Sequence, residues 1–116
     1  MLAINKVIVI GRVTDAGPKL TYSSEGTPQC SFTLLIEEAG KDGANVFKLF
    51  VPIEVFGTHG EWVVEHVNVG DLVCIDGKLR WKSWIDKKGE KQGKLGVMAW
   101  QVAHLHHVAS SAVSTN

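Results

Sequence analysis

The sequence is short of the residues that mark several classes of protein. Its 116 residues include only two cysteines, Cys30 and Cys74, each inside a strand-like run. We therefore expect two reduced, buried thiols rather than a disulfide or a zinc site. No apolar run approaches the roughly 20 residues that a membrane span requires. The first residues enter a β-like run without a cationic segment or a cleavage site, which predicts an intracellular, cytoplasmic protein with no membrane partner.

The signatures of an enzyme are also missing. No nucleophile–base pairing, phosphate-binding glycine loop or metal-ligand spacing stands out. The acidic residues are scattered among strand ends and turns, and His104, His106 and His107 read as a polar strand end. We therefore predict a protein with no catalytic residues, no metal and no cofactor.

Charge is balanced over the whole chain but not along it. The chain has twelve basic and twelve acidic residues, so the formal net charge is zero. The segment from Lys78 to Lys94, called the basic arm below, nevertheless holds seven basic and two acidic residues, a local charge of +5. A basic arm on an otherwise acidic body can follow a line of phosphates.

Strand-like runs separated by turn signals predict an all-β fold. The expected strands are 5–14, a short run 19–22, 29–37, 46–56, 71–79 continuing to 84, and 95–105. A single helix is expected, with Thr58 as its N-cap and Gly70 at its C-terminal end. This order, a five-stranded Greek-key barrel with one short helix between strands 3 and 4, is that of an OB-fold. We expect residues 1–107 to form the domain and the small, polar residues 108–116 to form a flexible tail.

The basic arm places positively charged and aromatic side chains on one face of a strand. Side chains alternate across a strand, so Arg80, Lys82 and Trp84 point to the same face. A large ring exposed beside cations suits a flat, anionic ligand. Unpaired nucleic acid fits, because its bases stack on rings and its phosphates attract Lys and Arg.

The run 46–56 shows the same pattern. Its odd positions from Phe47 to Val55 are all apolar and predict a core face. The even positions then place Lys48, Phe50 and Phe56 on the opposite face. We expect these side chains to belong to the same binding surface.

Several short segments together resemble a known family. In order they are NKVIVIGRV (5–13), GTP (26–28), SFTL (31–34), VFG (55–57), GDLV (70–73) and GKLR (77–80). Over about residues 4–105 the chain resembles the DNA-binding domain of the bacterial single-stranded DNA-binding proteins (SSB). No single segment decides the match; their shared order and spacing make it specific.

The resemblance implies a function and a set of contacts. It implies an OB-fold assembled as a homotetramer, around which single-stranded DNA is wrapped in replication, recombination and repair. The family's stacking rings correspond to Phe50, Phe56 and Trp84. Its basic contacts correspond to Lys6, Arg80 and Lys82. The complete predicted DNA-binding set is Lys6, Arg12, Lys48, Phe50, Phe56, Lys78, Arg80, Lys82, Trp84 and Lys94.

Departures from the family leave an alternative open. Pro52 stands where a polar or basic residue is usual, and it predicts a break in the strand ladder. The family's acidic, aromatic-ended tail, which recruits replication and repair proteins, has no counterpart here.

Segments 26–32, 51–53 and 93–105 resemble a sister family, the tail-free and dimeric primosomal replication protein N. The alternative is therefore a replication-restart accessory that binds single-stranded DNA and partner proteins. Stacking and phosphate contacts alone do not distinguish DNA from RNA.

Overall fold

Six strands and one helix make up most of the chain in the computed structural model, which describes residues 2–14, 16–43 and 45–106. The strands are β1 (Val7–Val13), β2 (Lys19–Tyr22), β3 (Pro28–Ala39), β4 (Val46–Phe56), β5 (Leu72–Ile85) and β6 (Lys91–His106), and the helix is α1 (Thr58–His66). The bounds predicted for β2 and β4 are confirmed. β3 and β6 are longer than predicted because each pairs with its neighbour almost to the hairpin turn. The predicted tail, 108–116, lies outside the described residues.

Five of the strands form a closed barrel. Neighbouring strands follow the order β1-β5-β6-β4-β3, and a pairing of β1 with β3 closes the ring. β2 is a short addition that pairs with β3. All pairs are antiparallel except β4 with β6. The predicted OB-fold is confirmed, and α1 lies between the third and fourth barrel strands.

Gly11 lies where β1 changes partners. It is opposite Val73 of β5, and the next residue, Arg12, is opposite both Leu72 of β5 and Leu35 of β3. A Cβ at Gly11 would collide with the carbonyl oxygen of Leu35. Glycine therefore permits the close backbone approach that joins β1 to β3.

The barrel interior is filled by alternate residues of its strands, including Leu34, Ile53, Val73 and Ile75, all of them fully buried. Cys30 is also fully buried, and this burial raises the pKa of its thiol to about 11. Cys74 is partly buried, and both cysteines are free, as predicted.

Pro52 lies within β4 without interrupting its pairing to β3. Thr33 is opposite Pro52 in a register that runs unbroken from one end of β4 to the other, so the predicted break is wrong for this ladder. On its other side, β4 pairs with β6 only from Ile53 to Val55. That ladder begins directly after Pro52, which has no N–H to donate.

The outer part of the β3–β4 hairpin projects beyond the barrel. Phe47 and Leu49, predicted on the core face, are 60% and 49% exposed. Their parity is that of Ile53 and Val55, which are buried, but no barrel interior extends to the end of the hairpin. The prediction of a core role for these two residues is therefore wrong within this chain.

The helix begins on a glycine rather than on a capping side chain. Gly57 occupies the N-cap position with φ of 80°, a conformation that favours glycine, and no side chain caps the helix. Thr58, predicted as the N-cap, is the first helical residue. No helix in the described part of the chain is long and apolar enough to cross a membrane.

A buried carboxylate fixes the connection from α1 to β5. Asp71 is fully buried, and it accepts hydrogen bonds from the backbone N–H of Asn68 at 2.9 Å and from Nε2 of His104 at 2.6 Å. His104 lies in β6, so this carboxylate ties the loop to the last barrel strand. A buried carboxylate without such partners would carry a large desolvation cost.

We expect Asp71→Ala to lower the free energy of unfolding by roughly 1–3 kcal/mol, because it leaves the Asn68 N–H and the His104 ring without their shared acceptor. Urea denaturation monitored by circular dichroism measures this change. Glu65→Ala, which removes an exposed carboxylate from α1, is the matched control and should alter stability by much less. Equal effects of the two variants would contradict a structural role for Asp71.

Candidate nucleic-acid interface

The basic arm is the outer part of the β5–β6 hairpin. Residues 79–85 and 91–95 are exposed on both faces, so this part of the hairpin projects beyond the barrel. Asp86 fixes the turn by accepting hydrogen bonds from the backbone N–H groups of Lys88 and Glu90, both at 2.9 Å, and from the Gln92 amide at 3.0 Å. The bonds from Glu90 and Gln92 lower the pKa of Asp86. The last two predicted strands are therefore joined by a tight turn.

One face of the arm carries the predicted cations. Lys78, Arg80, Lys82 and Trp84 alternate along β5, as the parity argument requires. Lys94 of β6 is directly opposite Lys82, and opposed residues of paired strands share a face. Four cations, Lys78, Arg80, Lys82 and Lys94, therefore share this face, which favours an anionic ligand.

Three cations of this face lie over aromatic rings. Lys78 Nζ is 5.5 Å from the centre of the Trp100 ring, Arg80 Cζ is 5.0 Å from Phe56, and Lys94 Nζ is 5.9 Å from Trp84. These separations are within the range of cation–π attraction. We call the three rings, Phe56, Trp84 and Trp100, the ring row. Trp84 and Trp100 are 42% and 56% exposed, so an approaching base can reach them.

A shallow groove of about 230 Å³ lies beside the ring row, between the β1–β2 loop and the basic arm. Four basic side chains line it: Lys19, Arg80, Lys82 and Lys94. The hydroxyl residues Ser31 and Thr33 of β3 are also part of its lining. The groove combines positive charge with polar hydrogen-bonding groups, which suits both phosphates and base edges.

One carboxylate lies within this basic groove. Glu54 Oε2 accepts hydrogen bonds from Lys82 Nζ at 2.8 Å and from the Gln29 amide at 2.7 Å, and its Oε1 is 3.9 Å from Arg80. Only 12% of the Glu54 side chain is exposed. Two of the predicted DNA-contacting cations are therefore paired with an internal anion.

Phe50 and Lys48 lie farther along β4, on the hairpin that β4 forms with β3. Phe50 is 63% exposed and has the same parity as Glu54 and Phe56. Six residues of strand, about 20 Å, separate Phe50 from Phe56. Lys48 is opposite Glu37 of β3. These two residues extend the predicted surface along β4, away from Phe56.

Lys6 and Arg12 lie on the β1 side of β5. Lys6 Nζ is 3.4 Å from the Asp76 carboxylate, and Arg12 donates a hydrogen bond of 2.9 Å to the carbonyl oxygen of Gly70. The structure does not bring Arg12 to the groove. The proposed DNA contacts of both residues remain predictions.

Glu54 and Trp100 were missed as site residues by the sequence argument. The even parity of Glu54 on β4 was a usable signal, because it is the parity of Phe50 and Phe56. Trp100 has the parity of Lys94 on β6, which was a usable signal as well. It is the extra residue of a β-bulge, since Gly77 is opposite Ala99 whereas Asp76 is opposite Gln101.

Comparison with known proteins identifies the family. The family model described as the single-strand binding protein family matches residues 4–105. The chain is a member of this family.

Individual relatives agree with this assignment. Single-stranded DNA-binding protein 2 of Clostridium acetobutylicum is 32% identical over 103 residues, which span 88% of this chain and 77% of the relative. The single-stranded DNA-binding protein of Thermotoga maritima is 30% identical over 118 residues, 98% of this chain and 82% of the relative. That of Treponema pallidum is 30% identical over 115 residues, 97% of this chain and 64% of the relative. The predicted resemblance to the SSB family is confirmed, and it is favoured over the primosomal accessory.

We predict that Trp84→Ala weakens binding of oligo-dT by more than about 1 kcal/mol, because a base stacked on an aromatic ring contributes roughly 1–3 kcal/mol. Fluorescence anisotropy of a labelled oligonucleotide measures the change. Trp81→Ala is the matched control, because Trp81 lies on the opposite face of the same arm, against Gly93. A loss as large for Trp81→Ala, or none for Trp84→Ala, would contradict the assignment of the face.

Proposed function

We propose that this protein binds single-stranded DNA with little regard to sequence and protects it in replication, recombination and repair. The observation that carries the proposal is the ring row, three aromatic rings each with a Lys or Arg against it along one face. Membership of the single-strand binding protein family supports the same conclusion.

Bases and phosphates are bound by different parts of the surface. Bases stack on Phe56, Trp84 and Trp100, and because every base has a π-face this contact does not depend on sequence. Lys and Arg side chains of the basic arm contact the phosphates. Each phosphate contact releases counterions, so the logarithm of the affinity falls with the logarithm of salt concentration by about 0.7 per contact. Paired bases of a duplex cannot reach the rings, which favours single strands.

We propose that the protein assembles as a homotetramer, with a dimer as the alternative. Among the described residues, β1 pairs with β5 on one edge but with β3 only at Arg12 and Val13, so its other edge is open from Val7 to Gly11. Ile8 and Ile10 on this strand are 61% and 50% exposed. An open edge with exposed apolar side chains favours pairing with another copy.

The remaining parts of the proposal concern location and partners. A protein that covers single-stranded DNA acts at the nucleoid, so we place it in the cytoplasm. Replication or restart proteins are the expected protein partners. The family is one of binding proteins, and no group of metal-ligating side chains occurs in the described ranges, so we expect no catalytic activity.

Intrinsic tryptophan fluorescence during titration with oligo-dT of increasing length tests the function, because two of the four tryptophans lie in the ring row. We expect strong quenching that saturates at a long site and weakens at high salt, with a tetramer by light scattering. Weak quenching with a short site and a dimer would favour the restart accessory. No quenching at low salt would overturn the proposed function.

We predict that Trp100→Ala lowers affinity for long oligo-dT by roughly 1–3 kcal/mol, the contribution of one stacked base. Trp100→Phe keeps a ring at this position and should restore most of the affinity. Anisotropy titrations measure both, and light scattering gives the mass of each variant. A smaller assembly with unchanged affinity per subunit would assign Trp100 to a subunit interface and contradict the stacking role.

A further inference from the structure

Phosphate binding alone does not explain why a carboxylate, that of Glu54, lies in a basic groove. A site for a polyanion gains from unopposed cations, yet here one carboxylate is paired with Lys82 at 2.8 Å and lies 3.9 Å from Arg80. Glu54 is held in place by the Gln29 amide at 2.7 Å and is largely buried. A phosphate entering the groove at this point would be repelled by the carboxylate and would have to compete with it for both cations.

The edge of a base, unlike a phosphate, would be attracted by this carboxylate. Amino and imino N–H groups of an unpaired base are donors, and carboxylates accept from them, as Glu and Asp do from cytosine N4. Glu54 has the same parity on β4 as Phe56, two residues away, where Arg80 covers the ring. Ser31 and Thr33 supply further polar groups to the groove. The groove is therefore suited to bind the edge of one base. The phosphates would then bind at its rim.

We infer that Glu54 is a selectivity residue, which accepts an N–H from the edge of an unpaired base and keeps phosphates out of its own part of the groove, next to Arg80 and Lys82. This inference rests on the proposed function and deepens it. A flexible single strand can present a base to Glu54 and a phosphate to Lys94 or Lys19. A ligand with phosphates but no bases cannot make the contact with Glu54, so its affinity is raised less by the same cations.

The variant Glu54→Gln tests this inference, and Glu65→Gln on α1 is the control with the same change of charge. Three ligands of equal length are compared at fixed salt: oligo-dT, an abasic DNA strand and polyphosphate. For Glu54→Gln we expect affinity for the abasic strand and polyphosphate to rise roughly fivefold, the effect of one added phosphate contact near 0.1 M salt. Affinity for oligo-dT should change less than about threefold, because the weaker base contact of an uncharged amide offsets the gained phosphate contact. Glu65→Gln should alter none of the three.

Other outcomes overturn the inference. An equal rise for all three ligands would mean that Glu54 only lowers the charge of the groove. A fall for all three would mean that it only positions Arg80 and Lys82. No change would remove Glu54 from the site. Failure of the unaltered protein to bind oligo-dT would instead overturn the proposed function, so the two failures are distinguishable.

A measurement on the unaltered protein does not depend on how any variant folds. Oligo-dT methylated at thymine N3 has the same backbone but lacks the N–H donor. We expect this ligand to bind about tenfold or more weakly than oligo-dT, since a hydrogen bond to a charged group is lost. In Glu54→Gln the amide oxygen accepts a weaker hydrogen bond than the carboxylate does, so the difference between the two ligands should become clearly smaller. Equal affinities for the unaltered protein would refute the base contact.

Discussion

The closure of the barrel by β1 is the constraint on which the rest of the structure depends. One strand must pair with β5 along its length and with β3 at its end, and Gly11 permits the necessary backbone approach. Closure gives the apolar faces of five strands a common interior. Because that interior is short, the ends of both long hairpins extend past it, and their side chains are exposed on both faces.

These projecting ends are where the candidate function lies. On the β5–β6 hairpin, alternation gives one face to Lys78, Arg80, Lys82 and Trp84, and the neighbouring strands bring further rings against these cations. A chain with no net charge can thus hold a locally basic surface. The largely buried carboxylate of Glu54 then divides that surface into places that suit a phosphate and a place that suits a base edge.

The sequence predicted the barrel and much of the site because both rest on the two-residue period of strands. That period assigned Arg80, Lys82 and Trp84 to one face, and turn signals located the hairpins. The same rule failed at Phe47 and Leu49, because parity says which way a side chain points but not whether a core lies there. A different rule, that a hydroxyl side chain caps a helix, failed at Thr58, because a glycine conformation at Gly57 begins the helix.

By itself, the sequence determined the all-β fold, the family and the identity of most rings and cations, since these depend on local alternation and on segments shared with relatives. The tertiary structure alone decided which of them meet. Trp100 reaches Lys78 because the pairing of β5 with β6 sets Met98, two residues before Trp100, opposite Lys78, and Glu54 reaches Lys82 only because β4 and β5 both border β6. These contacts join residues far apart in the chain, and barrel closure, not local pattern, sets the distances between them.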